Sequence, residues 1–247
     1  MRLSGNTILI TGGGSGIGRA LAEEFHARGN QVIIAGRREA LLAEVAAAHP
    51  GMAWIGLDIA DPASITSMTQ ALLAGFPKFD TLVNCAGIQT RDDASGPIDD
   101  EELLAAISTN LLGPIRLSSA LIDHLKHQDN ASIVTVSSML GYLLPLAKAA
   151  IYSATKAALH SFTQSQRYML RGSCVAVIEI VPPYVQTDLM GGAIDPRAMP
   201  LADFMREAMA LLDTDAAEIL VAPAKGRRDA LRGDELAAVS AFNDMFG

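Results

Sequence analysis

Short runs that are apolar at nearly every position recur along this chain, and between them apolar residues return at helical spacing. Thr7–Thr11, Gln31–Ala35, Ala53–Leu57, Thr81–Asn84, Ser132–Val136 and Val175–Val181 read as strands. A run such as Thr7-Ile8-Leu9-Ile10, with no polar alternation, is buried on both faces. Strands alternating with helices predict a parallel sheet between two helix layers, and right-handed crossovers make it doubly wound. Helix starts agree with this reading. Asp61-Pro62 gives an N-cap followed by proline at the first helical position, and Asp99, Asp100, Glu101 and Glu102 put acid in the first turn of another helix. Ile219-Leu220-Val221 could begin a seventh strand, but Lys225-Gly226-Arg227-Arg228, read as a solvated loop, and an alanine-rich helical tail follow. Six strands are predicted and the seventh is left open.

Composition narrows the function classes. A chain of 247 residues, half of them apolar, suits one α/β domain over residues 1–247. A net charge of −8 argues against a nucleic-acid partner. No apolar stretch approaches the roughly 18 residues of a membrane span, and the start lacks a signal-peptide pattern, so a cytoplasmic location is expected. Cys85 and Cys174 are placed in predicted strands and read as reduced core residues, not a disulfide. No His, Cys or carboxylate cluster has metal-ligand spacing, so no metal is expected.

Two segments carry candidate chemistry. The first strand runs into Thr11-Gly12-Gly13-Gly14-Ser15-Gly16-Ile17-Gly18, and an amphipathic helix follows. A strand, glycine loop and helix in this order can bind a pyrophosphate at the helix N-terminus, whereas a glycine run elsewhere is a surface turn. Gly12 would permit the tight turn, Gly16 the close approach of backbone to phosphate, and Gly18 the packing of helix on sheet. Further on, Tyr152 and Lys156 stand four residues apart, on one helix face. An ammonium beside a phenol favours the phenolate, which needs about 4 kcal/mol to lower the phenol by roughly three units.

Together these segments resemble the short-chain dehydrogenase/reductase family. Further stretches resemble it in the family's order: Val83-Asn84-Cys85-Ala86-Gly87, Asn110 in Asn-Leu-Leu-Gly, Ile133 to Ser138, and Val181-Pro182-Pro183-Tyr184-Val185-Gln186-Thr187. The resemblance covers residues 3–190. The opening Met-Arg-Leu-Ser-Gly-Asn and Ala35-Gly36-Arg37-Arg38 are similar to a bacterial branch, the DltE-type oxidoreductases.

The resemblance implies a single-domain Rossmann-type fold and hydride transfer between a nicotinamide and a ketone, aldehyde or secondary alcohol. Tyr152 would be the general acid, and Lys156 would lower its pKa and hold the nicotinamide ribose. Ser138 would donate to the carbonyl oxygen, and Asn110 would bend its helix around a water. Gly12, Ser15, Gly16, Ile17, Gly18, Arg37, Arg38, Asp58, Ile59, Asn84, Ala86, Gly87, Pro182, Val185 and Thr187 fall on cofactor-binding positions, with Asp58 receiving the adenine amino group. The family's serine usually lies thirteen residues before its tyrosine, but Ser138 lies fourteen before Tyr152, so the loop between them is read as one residue longer. At the end of the second strand a carboxylate would repel a 2′-phosphate, and this chain has Gly36, Arg37 and Arg38 there. NADP(H) is favoured and NAD(H) stays open.

Loops 139–151 and 184–210 would frame the substrate, an apolar ketone or aldehyde if Leu143, Leu144, Pro145, Tyr184 and Met190 face it; a packed loop or dimer surface is the other reading. A homodimer is expected, with the family's tetramer left open. A 3-oxoacyl-carrier-protein reductase, a non-catalytic NADP(H)-sensing protein and a nucleotide-sugar dehydratase or epimerase are the alternatives. The retained Tyr152 and Lys156 count against the sensor, and the loop spacing and short C-terminal part count against the sugar enzyme.

Overall fold

The structure is a computed structural model that describes residues 1–190, 192, 195–230, 244 and 245, with the side chains of residues 190, 227, 229 and 230 left out. Seven parallel strands form one sheet in the order β3-β2-β1-β4-β5-β6-β7. They are β1 (Thr7–Thr11), β2 (Gln31–Gly36), β3 (Ala53–Gly56), β4 (Thr81–Asn84), β5 (Ala131–Val136), β6 (Val175–Ile180) and β7 (Glu218–Ile219). The helices are α1 (Gly16–Ala27), α2 (Glu39–Ala48), α3 (Pro62–Gly75), α4 (Asp100–Ile107), α5 (Gly113–Lys126), α6 (Met139–Tyr142), α7 (Ala150–Leu170), α8 (Leu201–Leu212) and α9 (Ala222–Ala230). The predicted doubly wound α/β sandwich is what forms.

Alternation along each strand builds two cores. Ile8 and Ile10 of β1 join Val32 and Ile34 of β2 under Leu21 and Phe25 of α1 and Phe204 and Leu212 of α8. Leu9 and Ile33, one residue out of step, pack on the other face against Leu72 of α3 and Leu117, Leu121 and Leu125 of α5. Each such side chain contributes about 1.5–3 kcal/mol by burial, against about 0–1 for a surface ion pair such as Arg19–Glu23. The apolar faces therefore decide the fold. Asp61 caps α3 by accepting from the backbone N–H groups of Ala63 and Ser64, and Asp99 caps α4 by accepting from that of Glu102.

The seventh strand exists, but it is two residues long, pairing Glu218 with Glu179 and Ile219 with Ile180. The basic run expected as a solvated loop lies instead in α9, where Arg228 hydrogen-bonds the Tyr142 phenol. The alanine-rich tail beyond residue 230 lies outside the described residues. The cysteines also need correcting. Both stand just outside the strands as free thiols, and Cys174 is exposed instead of in the core. No helix among the described residues is long and apolar enough to cross a membrane.

Candidate active site

A cleft of about 1090 Å³ runs along the carboxyl ends of the strands, where the strand order turns from β1 to β4. One end is made by the loop from β1 into α1. An added Cβ on Gly18 would sit 2.4 Å from the Gly12 carbonyl oxygen, so only hydrogen fits where helix meets turn. Gly16 has a φ of +54°, which a side chain would strain. Ser15 precedes α1, yet no side chain caps this helix and its first turn holds no acid. Its first N–H groups therefore remain available to an anion. Thr11 Oγ1 accepts from the backbone N–H groups of Cys85 and Ala86 at 3.0 and 3.1 Å, drawing the ends of β1 and β4 together.

Arg37 and Arg38 line this end at the close of β2. Arg38 Nη2 donates to Ser15 Oγ at 2.7 Å, and Arg37 has no ion pair among the described residues. Glu39 turns its carboxyl onto Gly56 and does not line the cleft. Ile59 lines it, whereas Asp58 stays outside the lining, with its Oδ1 accepting from the Ala60 N–H.

At the other end Ser138, Tyr152 and Lys156 come together from two elements. Ser138 opens α6 and accepts from the Leu140 N–H at 3.2 Å, and its hydroxyl stands beside the Tyr152 phenol, where it favours the phenolate. Ser137 points elsewhere and donates to the Ile180 carbonyl at 3.4 Å. Tyr152 and Lys156 rise from the first two turns of α7, with the ammonium 5.7 Å from the phenol ring centre. Lys156 Nζ donates to the Val136 carbonyl at 2.9 Å. Gly141 of α6 presses on the same helix, since a Cβ there would fall 2.3 Å from the Lys156 carbonyl carbon.

Burial governs the electrostatics. It pushes the Tyr152 phenol up to about 12, only partly offset by the Ser138 hydrogen bond. It pushes Lys156 down to about 8, against the pull of Cys85 and of Glu179 behind it, and it pushes the Cys85 thiol up to about 11. Burial thus dominates both members of the pair that the spacing brings together. Glu179 is wholly buried and accepts from His160 Nδ1 at 2.8 and 3.0 Å.

Asn110 sits in a π-turn, Ser108–Leu112, that separates α4 from α5. Its Nδ2 donates to the Ile88 carbonyl and Thr155 Oγ1, and its Oδ1 accepts from the Ile88 N–H at 2.8 Å. Both ends of the amide thus hold the loop after β4, and Nδ2 also ties it to α7. Asn84 is also buried, donating to Ser118 Oγ at 3.0 Å; it is Ala86 and Gly87 that line the cleft.

A sequence model described as short chain dehydrogenase matches residues 6–197. The chain belongs to that family. It is 38% identical over 242 residues to an uncharacterised oxidoreductase, DltE, of Bacillus subtilis, covering 95% of each. It is 35% identical over 193 residues to the 3-oxoacyl-[acyl-carrier-protein] reductase FabG of Escherichia coli, covering 76% of this chain and 77% of that protein. A short chain dehydrogenase from Burkholderia cenocepacia, solved with NADP, superposes with a TM-score of 0.85 over 98% of both chains at 24% identity, which shows the shared fold. A 3-ketoacyl-(acyl-carrier-protein) reductase from Brucella melitensis, solved with NADH, gives 0.79 at 28% identity over 87% of this chain and 93% of that one. This short-chain dehydrogenase is therefore an oxidoreductase, and the resemblance read from its motifs holds, including that to the DltE branch.

The residues expected to frame the substrate are only partly right. Of these, Tyr184 lines the cleft of this dehydrogenase, beside Pro182, Val185 and Thr187, which were expected at cofactor-binding positions. Leu144 instead packs with Met139, Val181, Leu220 and Ala224, Leu143 packs against that cluster, and Pro145 is not in the lining. Leu140 and Leu146 take their places. The Met190 side chain lies outside the described residues. Sequence reading missed Thr11 and Asp92, whose signals were a threonine ending a strand before the glycines and an acid with no helix of its own to cap.

Proposed function

We propose that this protein reduces a ketone or aldehyde with NADP(H), Tyr152 being the proton donor. The observation that carries the reading is the meeting of Ser138, Tyr152 and a buried Lys156 at one end of a cleft whose other end offers an uncapped helix N-terminus. That end fits a dinucleotide pyrophosphate, because the glycine loop leaves room only for backbone and the helix presents free N–H groups. A reduced nicotinamide, when bound, supplies the hydride. Tyr152 gives its proton to the carbonyl oxygen, which the Ser138 hydroxyl orients as a second donor. Lys156 stands ready to balance the phenolate left behind, and Asn110 holds the neighbouring wall in register. The test is loss of the reduced cofactor's absorbance over a panel of ketones, aldehydes and acyl thioesters; no oxidation with any class would defeat the reading. The 35% identity to FabG favours 3-oxoacyl thioesters as the second reading, which the same panel judges.

The cofactor choice rests on Arg37, exposed at the end of β2 where no carboxylate lines the cleft. A guanidinium on a 2′-phosphate is worth about 1.5–3 kcal/mol, so NADPH should bind roughly ten- to a hundredfold more tightly than NADH. Arg37→Asp should reverse that order in fluorescence titrations. Equal affinities in the parent protein would rule the assignment out.

The two serines give a further expectation. Ser138→Ala should lower turnover by about 10²–10³, the usual effect of removing one donor from a preorganised site. Ser137→Ala, which loses a bond to the Ile180 carbonyl, should do much less. The opposite ranking would move the donor to Ser137.

A further inference from the structure

Beyond the reacting groups the cleft carries charge. Arg91, Lys148, Asp188, Asp195 and Arg197 line the same space as Ser138 and Tyr152. Arg197 and Asp195 satisfy one another, with the guanidinium donating to the carboxylate at 2.7, 3.0 and 3.2 Å. Arg91 has no such partner. It is exposed, and no carboxylate among the described residues pairs with it. Burial and Asp195 push the Tyr184 phenol up while Arg197 and Arg91 draw it down, which places the Arg91 charge within reach of a residue on the cleft wall.

The next residue fixes where Arg91 stands. Asp92 Oδ1 accepts from the Ala150 N–H at 2.9 Å and Oδ2 from the Ile151 N–H at 3.0 Å. The Asp92 N–H donates in turn to the Lys148 carbonyl at 3.2 Å. The residue before α7 makes no cap, so this distant acid satisfies the first N–H groups of the helix that presents Tyr152. The loop bearing Arg91 is thereby tied two residues from the proton donor. In a protein of net charge −8, an unpaired guanidinium held at a cleft wall is a specific local attraction for an anion.

We propose that the substrate carries an anionic group, carboxylate or phosphate, which Arg91 grips while the carbonyl meets Tyr152. The planar guanidinium makes paired hydrogen bonds to either anion, and Lys148 adds positive charge on the same wall. Leu140, Leu146 and Leu189 supply an apolar stretch of the lining. The substrate is thus an apolar ketone or aldehyde with a charged end. This inference rests on the carbonyl-reductase reading.

The test compares a neutral methyl ketone with the same ketone bearing a terminal carboxylate, and again with a terminal phosphate monoester, using the full chain and NADPH. The parent should favour one or both anionic ketones by about ten- to a hundredfold in kcat/KM, and the better anion identifies the source. Arg91→Gln should reduce the anionic-to-neutral ratio at least tenfold, and Arg91→Lys should retain part of it. Equal kcat/KM values in the parent, or a ratio that survives Arg91→Gln, would overturn the proposal while leaving the reductase intact. Calorimetric binding of the three ketones separates the two readings. If none is reduced but an anionic ketone binds and Arg91→Gln loses it, the anion site stands and the reductase reading falls. If none is reduced and the anionic ketones bind no better than the neutral one, the anion site falls as well.

Discussion

Tyr152→Phe should lower turnover by about 10²–10⁴-fold, the contribution expected of a positioned general acid. The substitution removes one hydroxyl and keeps the ring, so its packing is preserved. Losing the hydroxyl's contact with Ser138 costs no more than about 1 kcal/mol, too little to unfold the protein. No neighbour takes over easily. Lys156 Nζ is engaged with the Val136 carbonyl. A phenol pushed up to about 12 is protonated at any physiological pH, so it waits as a donor. Cofactor affinity should change little, since the hydroxyl faces the substrate end. A variant that kept a tenth of the parent's rate, in steady-state assays on a reducible ketone, would exclude Tyr152 as the donor.

Lys156→Met should abolish turnover and yet stabilise the cofactor-free protein. The free side chain titrates near 10.5, and burial brings Lys156 down to about 8. Below pH 8 the folded state carries a buried ammonium that the unfolded state solvates freely, which works against folding. Between about pH 8 and 10.5 the unfolded chain binds more protons than the folded one, so parent stability rises with pH across that window. The difference corresponds to about 3 kcal/mol at neutral pH, of which the lost bond to Val136 cancels about 1. A net gain of about 1–2 kcal/mol should raise Tm by about 2–8 °C at pH 7 and fade by pH 11. Thermal melts of both proteins across that range would show it. A variant that melts lower at pH 7, beside a parent whose stability is flat from pH 8 to 10, would contradict the burial argument.

Six strands were legible because each is apolar at nearly every position, which a parallel sheet covered on both faces demands. The cap at Asp61, the acidic start of α4 and the glycine loop were legible because their signals lie next to the helices they serve, though Asp99, read into the first turn, proves to be the cap. What escaped depends on distance along the chain. Asp92 is no cap until the fold brings Ala150 and Ile151 to it. The two residues of β7 are too few for a pattern, and Gly226 inside α9 argues locally against a helix. Leu143 and Leu144 are apolar enough for a substrate wall, but the end of β6 claims them. The i, i+4 spacing placed Tyr152 and Lys156 together correctly. It carries no information on depth, and depth is what raises the phenol and lowers the ammonium.

Gly141 gives the contact between α6 and α7 a meaning for descent. Ser138 starts the short helix that this glycine seats on the backbone of Lys156, so the spacing between serine and tyrosine is held from below by one helix resting on another. The stretch from Leu143 to Ala149 is anchored at both ends and bridges above that contact. Lineages can lengthen it, shorten it or exchange its residues, and the reacting groups stay where they are. What such a protein admits can change while what it does to the admitted molecule is kept.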